Sequence, residues 1–266
     1  MRLFVPITPP AGQTLTLPAE ATRHAQVRRV QPGDALVLFD GSGAEWPATV
    51  QAVRRDAVDV QVGPPAWPGR ELAPAITLAV VVPANERMDW LVEKATELGA
   101  AALQPLLAER SVLRLDGERA TKRVAHWEAI VRAASAQCGR ARLMAVAPVQ
   151  PLQSWLASLP ALPGPGLTPA PGAGAAPTAP PIAEPTAEPA VAPARWLLSL
   201  ADDALPPARR ALPQALTLLS GPEGGLSGAE ERAARAAGFW PVSLGPRVLR
   251  AETAPLALLA WAALAG

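Results

Sequence analysis

Ala75-Ile76-Thr77-Leu78-Ala79-Val80-Val81-Val82 is a run of apolar residues without the polar-apolar alternation of a half-buried strand. A strand covered on both faces reads this way, and such strands belong to parallel sheets flanked by helices. The next residues agree with that. Pro83 breaks the run, Asn85 is a residue type that caps helices, and Met88, Leu91, Val92, Ala95 and Leu98 recur at helical spacing until Gly99. Ala101 to Leu107 reads as the next strand. A long helix is expected from Glu118 to about Gln137, with Trp127, Ile130, Val131 and Ala134 on one face. Leu143 to Pro148 reads as a short strand and Pro151 to Leu159 as a short helix. Arg195 to Leu200, Ala215 to Leu219 and Phe239 to Leu244 are further strands. Ser227-Gly228-Ala229-Glu230 has the form of a capping box, opening a helix that runs to Gly238. Ala251 to Leu264 is almost wholly apolar and reads as a buried closing helix. Strand and helix alternate from 75 to 266, which predicts an α/β domain with a mainly parallel sheet.

The first 70 residues have a different texture. Ala35 to Phe39, Glu45 to Val53 and the alternating Ala57 to Val62 read as short strands, separated by Gln31-Pro32-Gly33-Asp34 and Asp40-Gly41-Ser42-Gly43. Closely spaced strands with tight turns predict a small β-barrel. Arg23, Arg28, Arg29, Arg54 and Arg55 decorate it, either as solvated surface or as a patch for an RNA backbone. Pro64, Pro65, Pro68 and Pro74 mark a connection, so the expected domains are 1–70 and 74–266. Residues 160 to 194 are dominated by proline, alanine, glycine and threonine with no apolar face, and read as a disordered surface insertion.

Several classes of function are disfavoured at once. No apolar stretch reaches the roughly 18 residues of a membrane span, and Met1-Arg2-Leu3-Phe4-Val5-Pro6 lacks the pattern of a signal peptide, so a cytoplasmic protein is expected. Cys138 is the single cysteine and the histidines are His24 and His126, so neither a disulfide nor a Cys/His metal site is expected. A net charge of +1 neither requires nor forbids a nucleic acid.

Chemistry is expected where strands run into loops, because ligands of parallel α/β sheets sit beyond the carboxyl ends of the strands. Three junctions qualify: Ser199 to Asp203, Ser220 to Leu226 and Leu244 to Leu249. The second reads Ser220-Gly221-Pro222-Glu223-Gly224-Gly225-Leu226-Ser227. It lacks the Gly-Lys-Ser/Thr ending of a P-loop and the G-x-G-x-x-G of a dinucleotide fold, and Glu223 would repel a phosphate. A carboxylate there suits a cationic or hydrogen-bond-donating ligand, of which S-adenosylmethionine is one. The plainer alternative is a tight connection with Glu223 in the first helical turn, favoured by the helix dipole.

Taken together, Gly221 to Ser227 and Leu244-Gly245-Pro246-Arg247-Val248-Leu249-Arg250-Ala251-Glu252-Thr253-Ala254 resemble the signature of the RsmE methyltransferases. Arg87 to Gly99, Gln104-Pro105-Leu106, Glu109-Arg110-Ser111, Gln137-Cys138-Gly139-Arg140, and His24 with Val27-Arg28 and Pro32-Gly33-Asp34 extend the likeness over nearly the whole chain outside 160–194. Ala84, Ala136, Ala251 and Arg29 depart from the family's usual residues, but every glycine of the two loops is kept. The resemblance implies a PUA-like β-barrel that contacts RNA, followed by a SPOUT domain whose C-terminal segment forms a trefoil knot. It implies methyl transfer from S-adenosylmethionine to N3 of a uridine in 16S ribosomal RNA, free or in the 30S subunit, by a homodimer. Carried onto this chain, Glu223 and Glu252 are candidate bases and Arg110 a catalytic cation. Leu200, Gly221, Gly225, Leu244, Gly245, Leu249 and Thr253 would hold the cofactor, and Arg28, Arg140, Arg247 and Arg250 the RNA. Two other functions stay open at this point: ribose 2′-O methylation by a related enzyme, and RNA binding without catalysis.

Overall fold

The computed structural model describes residues 1–84, 86–113, 115–162, 193–207 and 212–265. Asn85 and nearly all of the 160–194 insertion lie outside the described residues. The strands form two sheets. The first runs in the order β1 (Arg2–Phe4), β3 (Ala35–Phe39), β4 (Glu45–Val53), β5 (Val58–Val62), β2 (Thr14–Thr16). Its β1–β3 pair is parallel and the other pairs are antiparallel. The alternation read from the sequence has its expected effect on β5: Val58, Val60 and Val62 are buried, while Asp59 and Gln61 are only partly covered.

One element here was not expected. Helix α1 (Ala19–Val27) interrupts what the sequence presents as strands and turns alone. It starts after Pro18 without a side-chain cap, and its buried residues are Ala21, Thr22 and Ala25. Small side chains leave a weak apolar period, so this helix depends on packing under the sheet rather than on its own pattern.

The second sheet is wholly parallel. Its order is β12 (Trp240–Val242), β10 (Ala194–Leu198), β11 (Ala215–Ser220), β6 (Ala75–Val81), β7 (Ala102–Leu107), β8 (Ala145–Val146), with β9 (Gln150–Pro151) also on β7. The unbroken apolar run at 75–82 supplies β6, at the middle of the sheet. Ile76, Leu78, Val80 and Val82 enter a core with α2 (Arg87–Glu97), α3 (Gly117–Cys138) and α6 (Thr253–Ala265). Ala79 and Val81 enter a second core, with α4 (Leu152–Ser158) and α5 (Gly228–Ala236). Alternate residues of one strand thus feed both faces, which is why no position between Ile76 and Val82 apart from Thr77 could be polar.

Two expectations need adjusting. The strand read at Leu143 to Pro148 contracts to the two residues of β8. The closing helix starts at Thr253 and is not buried all round: Leu256, Leu258, Leu259 and Ala262 are covered, while Ala257, Ala263 and Leu264 are exposed. No helix among the described residues is long and apolar enough to cross a membrane.

The two sheets are joined by an ionic seam. Arg2 on β1 pairs with Glu45 on β4 and donates to the Arg140 carbonyl at 3.1 Å. Arg70, in the connection, donates to Glu45 at 3.1 Å and to the Gly139 carbonyl at 2.8 Å. Arg140 is only 3% exposed; it donates to Glu71 at 2.6 Å and to the carbonyls of Thr96 and Ala100 at 2.8 and 3.0 Å. Burial alone would push the Glu45 carboxyl up, but the hydrogen bond and charge of Arg2, with Arg70 adding to them, hold it below its ordinary value.

Candidate active site

Because β10, β11 and β12 are parallel neighbours or near neighbours, their carboxyl ends open at one edge of the sheet. The loops that leave them converge on one cavity of about 330 Å³. All three junctions named from the sequence line it. Leu198, Leu200, Leu226, Leu244 and Leu249 give it apolar walls, and Gly221, Gly225 and Gly245 give it backbone surface.

The loop after β11 closes tightly for local reasons. A Cβ on Gly221 would stand 3.2 Å from both the Cγ and the backbone nitrogen of Leu226, so a side chain there requires Leu226 to give by a few tenths of an ångström. Gly225 has φ +68° and donates to the Pro222 carbonyl at 2.9 Å, a left-handed corner that favours glycine. The capping box then starts α5: the Glu230 N–H donates to Ser227 Oγ at 3.3 Å and the Ser227 N–H donates to Glu230 Oε2 at 2.8 Å. Glu230 is 2% exposed, and its other oxygen accepts from the Glu109 N–H at 2.7 Å. The cap therefore also fixes the loop after β7.

Glu223 lines the cavity and lies in the loop, ahead of α5, which begins at Gly228. The plainer reading, in which it occupies the first helical turn, is therefore set aside. Its Oε1 accepts from the Ala84 N–H at 3.1 Å and from Arg87 Nη1 at 3.0 Å. Glu252, 7% exposed, does not line the cavity, although its neighbours Arg250, Ala251 and Ala254 do. Glu252 Oε1 lies 3.9 Å from Arg87 Nε, and Oε2 has no hydrogen-bond partner among the described residues. Burying a carboxylate oxygen without a partner is costly, which makes it a group that a ligand or a small rearrangement would satisfy.

Leu200, Gly221, Gly225, Leu244, Gly245 and Leu249 all line the cavity. Thr253 does not; it opens α6, with its N–H on the Arg250 carbonyl at 3.0 Å. Arg247 and Arg250 stand exposed on the rim, and their guanidiniums make no ion pair or hydrogen bond among the described residues. Two of the sequence-derived arginines lie outside the lining. Arg110 is exposed and donates to the Gly224 carbonyl at 2.8 Å, so it holds the glycine loop next to the cavity. Arg140 is buried in the seam with its donors spent on Glu71 and two carbonyls, and is not available to RNA. Arg28 is exposed but lines a different cleft, between the first sheet's domain and α3, with His24 and Gln137.

The sequence reading gave no role to four residues of this site, although Ser199 lies in a junction it named and Arg87 in a stretch it quoted. Arg87 reaches from α2 to both carboxylates. Ser199 lines the cavity and donates to Glu231 Oε1 at 3.0 Å; Glu231 lines it as well. Arg235 holds Glu231 from behind at 3.0 Å, and its guanidinium is raised above its ordinary value by hydrogen bonds to Asp203 first and Glu231 second. The capping-box pattern named Ser227 and Glu230 but carried no signal for Glu231, which is recognised only once β10 lies beside α5. No group of three or more possible metal ligands occurs among the described residues.

Apolar walls, exposed backbone groups, two carboxylates and two unpaired rim cations suit a ligand with a flat apolar part, hydroxyls and positive charge, next to an anionic one. Comparison with known proteins adds to this. Residues 70–167 and 194–263 match the family model of an RNA methyltransferase domain, and residues 17–63 match that of an RNA methyltransferase PUA domain. The chain is 31% identical over 258 residues to the ribosomal RNA small subunit methyltransferase E of Mycobacterium tuberculosis, covering 96% of this chain and 87% of that one. It is 30% identical over 247 residues to the protein of that name in Bacillus subtilis, covering 91% and 87%. Among solved structures, a ribosomal RNA small subunit methyltransferase E from Neisseria gonorrhoeae bound to S-adenosyl methionine is similar, with a TM-score of 0.81, 32% identity, and coverage of 98% and 95%. A putative methyltransferase from Legionella pneumophila, in complex with the same cofactor, has a TM-score of 0.83, 29% identity, and coverage of 100% and 97%.

Proposed function

The chain belongs to the ribosomal RNA small subunit methyltransferase E family, and from that premise we propose that it transfers a methyl group from S-adenosylmethionine to N3 of a uridine in 16S ribosomal RNA. The observation that carries this reading is the convergence of three strand ends on one cavity with apolar walls, a lining carboxylate and open rim arginines.

The cavity's donor set fits the cofactor. Leu200, Leu244 and Leu249 provide apolar surface for the adenine, and the backbone at Gly221, Gly225 and Gly245 provides polar groups at close approach. Glu231, held by Ser199 and Arg235, is an acceptor for hydroxyls. When bound, S-adenosylmethionine supplies a methyl carbon made electrophilic by its sulfonium. N3 of uridine becomes a nucleophile only as its proton leaves, because the nitrogen lone pair is otherwise delocalised into the two carbonyls. Of the two carboxylates on the cavity wall, Glu231 is held by Ser199 and Arg235, and Glu223 is assigned as the base that takes that proton. The new bond is N3 to carbon, the broken one is carbon to sulfur, and the proton ends on Glu223. Arg247 and Arg250 are assigned to the substrate's phosphates or uracil oxygens, where cations stabilise developing charge. Glu252 is assigned a positioning role through Arg87, which bridges the two loops.

The rest of the arrangement belongs to the same proposal. Residues 1–70 act as a PUA-like barrel that grips RNA, with Arg28 in its contact surface, and residues 74–266 carry out the transfer. The segment from β12 through α6 forms a trefoil knot, a reading supported by the return of β12 beside β10 while α6 packs against α2, β6 and β11. The protein works in the cytoplasm as a homodimer, on ribosomal RNA free or within the 30S subunit. The exposed Ala257, Ala263 and Leu264 on α6 support the dimer, since they leave apolar surface for a second copy.

Incubating the purified protein with S-adenosylmethionine and either 16S RNA or 30S subunits, then resolving the product nucleosides by mass spectrometry, tests the reading. 3-Methyluridine is the expected product. A ribose-methylated nucleoside would replace this reading with the related 2′-O reaction, and a protein that binds RNA but not the cofactor would make it a binding protein.

A further inference from the structure

Trp90 is misplaced if α2 is only a packing element. The other large apolar residues of the helix, Met88, Leu91 and Val92, are at most 2% exposed, whereas Trp90 is 48% exposed. Its indole N–H makes no hydrogen bond among the described residues. It stands beside Arg87 on α2 and opposite Arg123 on α3, and these three with Glu86 line a shallow hollow. Arg123 is exposed and its guanidinium has no ion pair or hydrogen bond among the described residues. Arg119, one turn earlier on the same helix face, is exposed as well. The hollow neighbours the cavity across one ion pair: Arg87, in the lining of the hollow, donates at 3.0 Å to Glu223, which lines the cavity wall.

An aromatic face next to unpaired cations is the arrangement by which proteins hold unpaired bases of single-stranded nucleic acid. Among the described residues Glu86 is the one acidic group in the lining, and it turns a phosphate away from its own side, toward Arg123. We propose that this hollow seats the nucleotide adjacent to the target uridine, its base stacked on Trp90 and its phosphate on Arg123. The inference rests on the proposed function, with RNA as the substrate. It gives the enzyme a way to keep the target base unstacked, since a neighbour held on Trp90 no longer stacks on it.

Three variants test this with the full-length protein and a 16S RNA fragment or 30S subunits, whichever the wild type methylates. Trp90→Ala is expected to raise the RNA dissociation constant and KM by roughly five- to a hundredfold, the range found for removal of one stacking side chain. Trp90→Phe, which keeps an aromatic face, is expected to recover most of that loss. Arg123→Ala is expected to weaken binding and to flatten the dependence of log K on log salt by about 0.7. Affinity for S-adenosylmethionine, the unfolding midpoint and the sedimentation coefficient are expected to match the wild type in all three. RNA binding by Trp90→Ala that equals the wild type overturns the inference, as does a Phe variant as weak as the Ala variant. A Trp90→Ala protein with changed sedimentation or unfolding overturns it too, since the ring would then belong to a protein interface or the core. A wild type that methylates no uridine defeats the functional reading itself, whereas a methylating wild type with an indistinguishable Trp90→Ala variant defeats only this one.

Discussion

Charge is handled in opposite ways at the seam between the sheets and at the rim of the cavity. In the seam, Arg2, Arg70 and Arg140 are answered by Glu45, Glu71 and four backbone carbonyls, and among the described residues only Arg2 Nε is left buried there without a partner. At the rim, Arg247 and Arg250 are exposed with no ion pair or hydrogen bond among the described residues, and Glu252, next to Ala251 of the lining, has one buried oxygen without a hydrogen-bond partner among them. A satisfied buried network fixes geometry, and breaking it by removing one partner is expensive. Unpaired groups beside a cavity hold nothing in place and are free to meet a ligand. The same residue type, arginine, therefore does structural work at one place and is available for chemistry at the other.

Substitutions can break that contrast. The largest effect is expected at the cavity wall: Glu223→Gln should lower the single-turnover methylation rate by about a hundredfold or more, the scale of a positioned general base, with cofactor binding kept. Full activity in that variant would move the base elsewhere, and Glu252→Gln assayed alongside it shows whether Glu252 is that place. Next comes the seam. Arg140→Ala strands Glu71 and two buried carbonyls and should cost about 3 kcal/mol in urea unfolding, while leaving RNA affinity per folded molecule unchanged.

The rim arginines should do the reverse. Arg247→Ala and Arg250→Ala are each expected to change stability by less than about 0.5 kcal/mol, yet to weaken RNA binding and lessen its salt dependence. Titrating RNA at several salt concentrations checks this. The smallest effect concerns Glu45, whose carboxyl lies below its ordinary value in the fold. Its contribution to stability is fully present above the unfolded value of 4.5 and is lost as pH falls through the lower folded value. The stability gap between wild type and Glu45→Gln should therefore be constant at neutral pH and close in acid, as read by unfolding curves at stepped pH.

Much of the parallel domain was legible because its signals are local. The unbroken run of β6, the helical spacing of α2 and α3, and the Ser227–Glu230 capping box each lie within a few residues of sequence. Helix α1 was not legible, since its buried face is Ala21, Thr22 and Ala25 and it has no capping side chain. The three loops around the cavity were found from their glycines and from the rule that ligands sit at strand ends. Fates decided by distant partners were not found. Arg140 meets Glu71 across 69 positions, and Arg87 meets Glu223 across 136. A guanidinium's role follows from whether a carboxylate arrives beside it, and that depends on the tertiary fold rather than on the residues around it in the chain.

The cavity at the three strand ends is the centre of this account, and binding of S-adenosylmethionine to the wild type and to Gly221→Val, followed by calorimetry with thermal unfolding measured alongside, tests it most directly. The expected result is one cofactor per wild-type chain and at least a tenfold loss of affinity in a variant that still unfolds cooperatively, because a branched side chain at Gly221 crowds Leu226 at the cavity wall that both residues line. A folded Gly221→Val protein that binds the cofactor as tightly as the wild type would place the methyl-transfer site somewhere else.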